Sequence, residues 1–171
     1  GDKAIDLLER ARRGQPEELD LILELAETHL AEGHLAQGLE LFAQGAAACQ
    51  QSGQRERACE ALRRMKVLAP TDTSIMLRLS LLYLELGRLH ESEQELRGVL
   101  RQNLNHEGAL MLLGEVSQLK GQGRDACLAF NRLISLNPER WDALEKMAEV
   151  LQSQGLISDA IRHYLQSAEG Y

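Results

Sequence analysis

Residues 107–140 read EGALMLLGEVSQLKGQGRDACLAFNRLISLNPER, and this stretch decides the fold. Apolar residues recur at helical spacing on both sides of Gly121, and Pro138 closes the unit. That pattern predicts two amphipathic helices joined by a glycine turn. It returns one period away on either side, because Gly53, Gly87, Gly121 and Gly155 follow one another at intervals of 34. Five residues after each of these glycines stands a small or polar residue (Ala58, Ser92, Ala126, Ala160), and nine after it a large one (Leu62, Leu96, Phe130, Tyr164). The small residue lets two helix backbones approach, and the large one fills the space where they diverge. A fixed period of this length marks a stacked array, in which neighbouring repeats bury each other's apolar faces. The expected fold is therefore all-α, an α-solenoid of antiparallel helix pairs. Helices are expected over 54–68, 73–86, 89–102, 107–120, 123–136, 141–154 and 157–168.

The N-terminal part departs from this rhythm. Residues 2–13 suit a short helix with Ala4, Leu8 and Ala11 on one face, stopped by Gly14 and Pro16. Its spacing matches the second helix of the later repeats, so residues 1–16 read as the end of a truncated repeat in a longer array. The next helix, 19–32, carries Ile22, Leu25, Ala26 and His29 at i, i+3, i+4 and i+7 and ends at Gly33. The interval from Gly33 to Gly53 is 20 rather than 34, room for one helix over 35–52. There Phe42, Gly45 and Ala46 fall on packing positions of a second helix counted from Gly33, and of a first helix counted back from Gly53. Two readings follow: a fused helix serving both repeats, or a boundary between two sub-arrays. On the first, residues 1–171 form a single array. It comprises a first repeat at 19–52 with the fused helix, a closing helix at 54–69, and regular repeats at 73–106, 107–140 and 141–171.

Composition narrows the function classes. Hydrophobic residues make up 44% of the chain and aromatic residues 4%, an Ala- and Leu-rich helical core rather than a sheet. A net charge of −7 disfavours a general nucleic-acid binder, which must neutralise phosphates. No apolar run reaches the ~20 residues a membrane span requires, and no signal-peptide pattern opens the chain. Cys49, Cys59 and Cys127 lie inside expected helices without C-x-x-C spacing and read as small buried hydrophobes. That usage fits a reducing, cytoplasmic setting. Abundant Arg and Ala fit a GC-rich bacterial genome.

Catalytic and metal-binding patterns are absent from the sequence. His29, His34, His90, His106 and His163 form no i, i+4 pair, and there is no H-E-x-x-H, Walker A, G-x-S-x-G or dinucleotide glycine pattern. Gly121-Gln122-Gly123 belongs to a repeat turn. Asp159 and His163 share a helix face, an arrangement typical of surface contacts. His29 reads as a hydrogen-bonded packing residue. Arginine-rich stretches near residues 10–13 and 55–66 are interleaved with Glu and Leu and read as solvated helix faces. The chain is accordingly expected to be no enzyme, with no cofactor and no metal.

Leu110, Leu113, Gly114, Gly121, Ala126, Phe130 and Pro138, with Tyr83 one repeat earlier, make the chain resemble the tetratricopeptide repeat (TPR) family. The departures are Ser117 for tyrosine, Ser92 for alanine, Leu133 for the last alanine and Leu104 for proline, none of which removes a packing role on this reading. The resemblance implies a right-handed superhelix that binds a peptide or protein on a concave face lined by the first helix of each repeat. The period of 34 and the acidic balance set the chain apart from RNA-reading pentatricopeptide repeats.

On that resemblance, the first helix over 73–86 is the most informative. Met76, Leu79 and Tyr83 form its packing stripe, while Leu77, Leu81 and Leu84 form a second stripe at i, i+4, i+7 that would face the groove. Burial of the helix on both sides would produce the same pattern. Equivalent positions are Leu23, Glu27 and Leu30; Met111, Glu115 and Gln118; and Glu145, Glu149 and Gln152. The candidate partner-binding residues are therefore Leu23, Glu27, Leu77, Arg78, Leu81 and Leu84, continuing with Met111, Glu115, Gln118 and Glu149. Glutamates at 27, 115 and 149 would meet basic flanks on an amphipathic partner. The clamp of Lys, Asn and Arg with which some TPR domains hold a C-terminal carboxylate has no counterpart at these positions. The functional expectation is a protein–protein interaction scaffold. Its alternatives are self-assembly as a homo-oligomer, or an adaptor that positions substrate for an enzyme.

Overall fold

Five glycines set where the helices turn. Gly33, Gly53, Gly87, Gly121 and Gly155 all have positive φ, between 71° and 82°. No atom lies within 4 Å of the position a Cβ would take at any of them, so conformation rather than space selects glycine there. Each turn closes identically. The N–H after the glycine donates to the carbonyl five residues back, as in Gln122 N to Ser117 O at 2.8 Å and Arg88 N to Tyr83 O at 2.7 Å. The glycine N–H donates three residues back, as in Gly121 N to Gln118 O at 2.9 Å. This is the left-handed helix-ending turn that glycine favours. Gly121→Ala is expected to lower stability by about 1 kcal/mol, measured by urea denaturation, through the left-handed backbone alone.

The computed structural model describes residues 19–168 together with Ile5. Apart from Ile5, the helix expected over 2–13 and the truncated repeat lie outside the described residues. Nine α-helices occupy the described residues. They are α1 (Leu19–Ala31), α2 (Leu35–Gln51), α3 (Arg55–Leu68), α4 (Thr73–Glu85), α5 (Leu89–Gln102), α6 (Glu107–Leu119), α7 (Gly123–Leu136), α8 (Trp141–Ser153) and α9 (Ile157–Ala168). The fold is all-α, built of sequential antiparallel helix pairs, and each helix ends within two residues of its expected boundary. None is long and apolar enough to cross a membrane.

Two compact units divide the chain, Gly1–Leu82 and Tyr83–Tyr171, with the division falling inside α4. In the first, α2 is a single helix that packs on both α1 and α3. Its backbone comes close to α1 at Gly38 and Gly45, where an added Cβ would lie 2.8 Å from Leu30 Cγ and 2.9 Å from Leu23 Cδ2. Phe42, Ala46 and Cys49 are buried alongside. Arginines of α3 reach past α2 to acids of α1: Arg64 Nη2 lies 2.8 Å from Glu27 Oε1, and Arg57 pairs with Asp20. The arginine-rich run of α3 thus finds its acids on another helix as well as locally, where Arg63 meets Glu60 at 3.1 Å. His29 is buried, with its Nδ1 3.4 Å from that of His34, so one imidazole donates and the other accepts.

In the second unit α6 packs on α7 and α8 on α9, while α6 also meets α5 and α8 meets α7. The residues five and nine after the turns behave as their spacing predicts at Ser92, Leu96, Ala126 and Phe130, all buried. Phe130 presses on Gly114, where glycine is required by space: an added Cβ would stand 2.5 Å from Phe130 Cζ. Tyr164, at the same register on α9, is partly exposed. The loops before α6 and α8 share one design. Asn103 Oδ1 accepts from Asn105 N at 3.0 Å, and Asn137 Oδ1 accepts from Glu139 N at 3.2 Å. Arg140 joins the starts of α6 and α8, donating Nη1 to Glu107 Oε2 at 2.8 Å and Nε and Nη2 to the two Asp142 oxygens at 2.8 and 2.7 Å. Arg140 thereby holds the Asp142 carboxyl below its ordinary range, against the opposing effect of burial.

Candidate functional site

The expected stripes of α4 differ in exposure. Met76, Leu79 and Tyr83 are buried, whereas Leu81 is 43% exposed and Leu77 and Leu84 are half-buried. A leucine with nearly half its surface in water lacks the burial that stabilises core side chains. Asp72 starts this helix, its Oδ1 accepting from Ser74 N at 2.8 Å and Ile75 N at 3.3 Å, so the stripe sits on a well-anchored element.

The remaining candidates fall into two groups by unit. In the first unit, Leu23 is half-buried beside Gly45, and Glu27 holds Arg64. Arg78 donates Nη2 to Gln50 Oε1 at 3.3 Å. In the second unit, Met111 packs as a half-buried margin on two core clusters, one with Phe130, Met147 and Leu151, the other with Leu110, Leu133 and Ala143. Gln118 is half-buried. Glu149 lies 3.3 Å from Lys146 Nζ, and Glu145 is exposed. Glu115 is half-buried and has no ionic partner among the described residues. The three recurring glutamates are therefore unequal, since Glu27 and Glu149 already face cations. Both of those pairs are solvent-exposed, the kind of contact whose net contribution is small.

Charge is spread unevenly over the helices. The first helices α1 and α6 are acidic, α1 carrying Asp20, Glu24 and Glu27 without Lys or Arg and α6 carrying Glu107 and Glu115 alone, whereas α4 balances Arg78 against Glu85. On the second helices α5 and α7, the exposed charges are Arg97, Arg101, Arg124 and Arg132 against Asp125. Between these two helices, floored by α6, lies a recess of about 270 Å³ lined by Leu100, Leu104, Leu110, Leu113 and Leu128 among others. Leu104 is 60% exposed and Leu128 64%. The packing role expected for Leu104 is thus corrected: Asn103 closes its turn, and the side chain projects from the fold rather than into it. Sequence periodicity missed this recess because Leu128 lies off the repeat's packing positions. The signal available was Leu104 itself, an apolar residue at a turn position.

Exposed Ile157, Ile161 and Leu165 form another apolar stripe, at i, i+4 and i+8 on α9. Cys49 and Cys59 are buried and Cys127 is half-buried; burial raises the thiol pKa of Cys49 and Cys127, which disfavours the reactive thiolate. Among the described residues, no group of three or more His, Cys, Asp or Glu is placed to hold a metal ion. Asp159 pairs with Arg162 at 3.3 Å.

No protein-family model matches the chain. Tetratricopeptide repeat protein 21A of Homo sapiens is 26% identical over 165 residues, which cover 92% of this chain and 11% of that protein. Tetratricopeptide repeat protein 21B of Xenopus laevis is 28% identical over 89 residues, 52% of this chain and 7% of that protein. The chain thus spans 11% or less of the length of these curated relatives. Among solved structures, a MamA RS-1 double mutant matches with a TM-score of 0.76 at 21% identity, covering 99% of this chain and 94% of its own. MamA from Desulfovibrio magneticus RS-1 matches at 0.70 with 16% identity, over 89% and 94% of the two chains. These structures share the fold of stacked helix pairs.

Proposed function

We propose that the chain, which resembles tetratricopeptide-repeat proteins in sequence and fold, binds a partner protein through the exposed stripe of α4, with the acidic helix α1 of the same unit contributing charge. Repeats of this kind are generally protein-interaction modules. The observation that carries the finer reading is Leu81, 43% exposed on a helix whose opposite stripe is buried. Leu77 and Leu84 flank it on the same helix face. An amphipathic helix or extended segment would place its apolar residues on these leucines and a Lys or Arg flank toward Glu27, which lies in the same unit as Leu77 and Leu81.

The test is a selection of displayed peptides followed by titration of an enriched binder with basic flanks. Changing Leu77→Glu and Leu81→Glu together is expected to weaken that binder about tenfold or more, with the far-UV circular dichroism unchanged. Unfolding of the double variant would instead assign these leucines to the core and contradict the reading. A single Leu81→Glu variant, at the more exposed position, separates the two outcomes if the double variant is too unstable to titrate.

A second reading, self-association, is favoured by the apolar stripe of Ile157, Ile161 and Leu165 on α9. Light scattering would then show mass rising with protein concentration, and Ile161→Asp would abolish the rise. A mass independent of concentration in the wild type contradicts it.

A further inference from the structure

We propose that the recess between α5 and α7 is a second docking site, which takes an acidic partner segment bearing a leucine-like side chain. This surface is distinct from the α4 stripe and has the opposite charge preference. It is marked out by comparison with its own repeat. One repeat later, a recess of about 200 Å³ is lined by Ile134, Pro138, Trp141, Leu144 and Gln166. Ile134, Pro138, Leu144 and Gln166 correspond, one repeat on, to Leu100, Leu104, Leu110 and Arg132 of the larger recess. The α5–α7 recess therefore carries leucine where its counterpart has proline, and arginine where it has glutamine.

The fold itself requires neither change. The Asn103 and Asn137 turns close alike, whether followed by Leu104 or Pro138. Leu104 and Leu128 are 60% and 64% exposed, so their burial is available to a ligand rather than already used by the core. Arg132 donates Nη2 to the neutral Asn105 Oδ1 at 3.2 Å. Arg101, Arg124 and Arg132 have no carboxylate partner among the described residues, and Arg97 is held by Glu93. Asp125 is the exposed acid on these two helices, in a chain whose net charge is −7. Of these arginines, Arg97 and Arg132 line the recess together with Asp125, and Arg132 is the one of the two held by no carboxylate among the described residues. An apolar recess with this guanidinium at its edge complements a segment in which Asp or Glu lies beside one large apolar residue. The planar donor fork of arginine suits carboxylates.

The experiment selects displayed random peptides of about twelve residues on the wild-type protein and measures enriched sequences by fluorescence anisotropy. Expected are peptides with Asp or Glu around a Leu or Phe, whose dissociation constants rise about tenfold or more with Leu104→Asp and with Arg132→Glu. Leu81→Glu is expected to leave these peptides unaffected, which separates this site from the α4 stripe. Both test residues are exposed, and matched thermal melts would confirm that the variants fold. Failure to enrich acidic peptides would overturn the proposal, as would acidic peptides that bind the Leu104→Asp and Arg132→Glu variants as tightly as the wild type. Sedimentation that reveals a wild-type dimer lost in Leu104→Asp would identify a second copy as the occupant, and equally overturn it.

Discussion

Phe130→Ala is expected to lower the unfolding free energy by about 3–5 kcal/mol, measured by urea denaturation. The ring is fully buried and packs in a cluster with Ala126, Met147, Val150, Leu151 and Ala160. Deleting it removes apolar burial and leaves a cavity between helices that short turns hold in place, which limits collapse. Its closest neighbour adds a sharper test. A Cβ at Gly114 would stand 2.5 Å from Phe130 Cζ and 2.8 Å from Cδ1, so Gly114→Ala forces the ring to shift. Overpacking of that kind costs about 1–3 kcal/mol, offset in part by the roughly 1 kcal/mol that alanine gains over glycine within a helix. In the double variant the new methyl enters the space the ring has left. The two changes should therefore be sub-additive by about 1 kcal/mol or more. Additive effects would mean that the ring does not press on Gly114.

Glu93→Gln is expected to cost about 1.5–3 kcal/mol at neutral pH, through the loss of charge-assisted hydrogen bonds to a buried group. The Glu93 side chain is 11% exposed and accepts from Lys120 Nζ and, at 2.8 Å, from Arg97 Nε. The Lys120 hydrogen bond is the largest influence on its carboxyl, holding it below the ordinary glutamate range; burial opposes this, and Arg97 reinforces it. A depressed folded-state pKa stabilises the fold above the unfolded pKa, and that contribution disappears as pH falls through the folded value. The stability gap between wild type and Glu93→Gln should accordingly be full near pH 7 and shrink below about pH 4.3, the ordinary glutamate value. A gap that stays constant into acid would remove the ionised carboxylate from the account.

The fold was legible because it repeats. A glycine at each left-handed turn, with packing residues five and nine positions later, leaves little freedom in where the helices lie. The single helix between Gly33 and Gly53 followed from the same arithmetic, since that shorter interval holds one helix and its turn. Long-range polar contacts were not legible. Arg64 reaches Glu27 and Lys120 reaches Glu93 through the arrangement of helices in space, which local spacing does not encode. The candidate site was legible as a stripe on α4, but the division of labour within it was not. Half-burial of Leu77 and Leu84 beside exposed Leu81 depends on neighbouring helices, and the recess at Leu104 and Leu128 depends on two helices one repeat apart in sequence.

The central claim, that a partner docks on the first helices, is tested most directly by hydrogen exchange on the protein with and without a selected amphipathic peptide with basic flanks. Protection concentrated in α4, extending to α1 and lost with Leu77→Glu/Leu81→Glu, is the predicted result. Protection confined to the second helices, or none at saturating peptide, would contradict it.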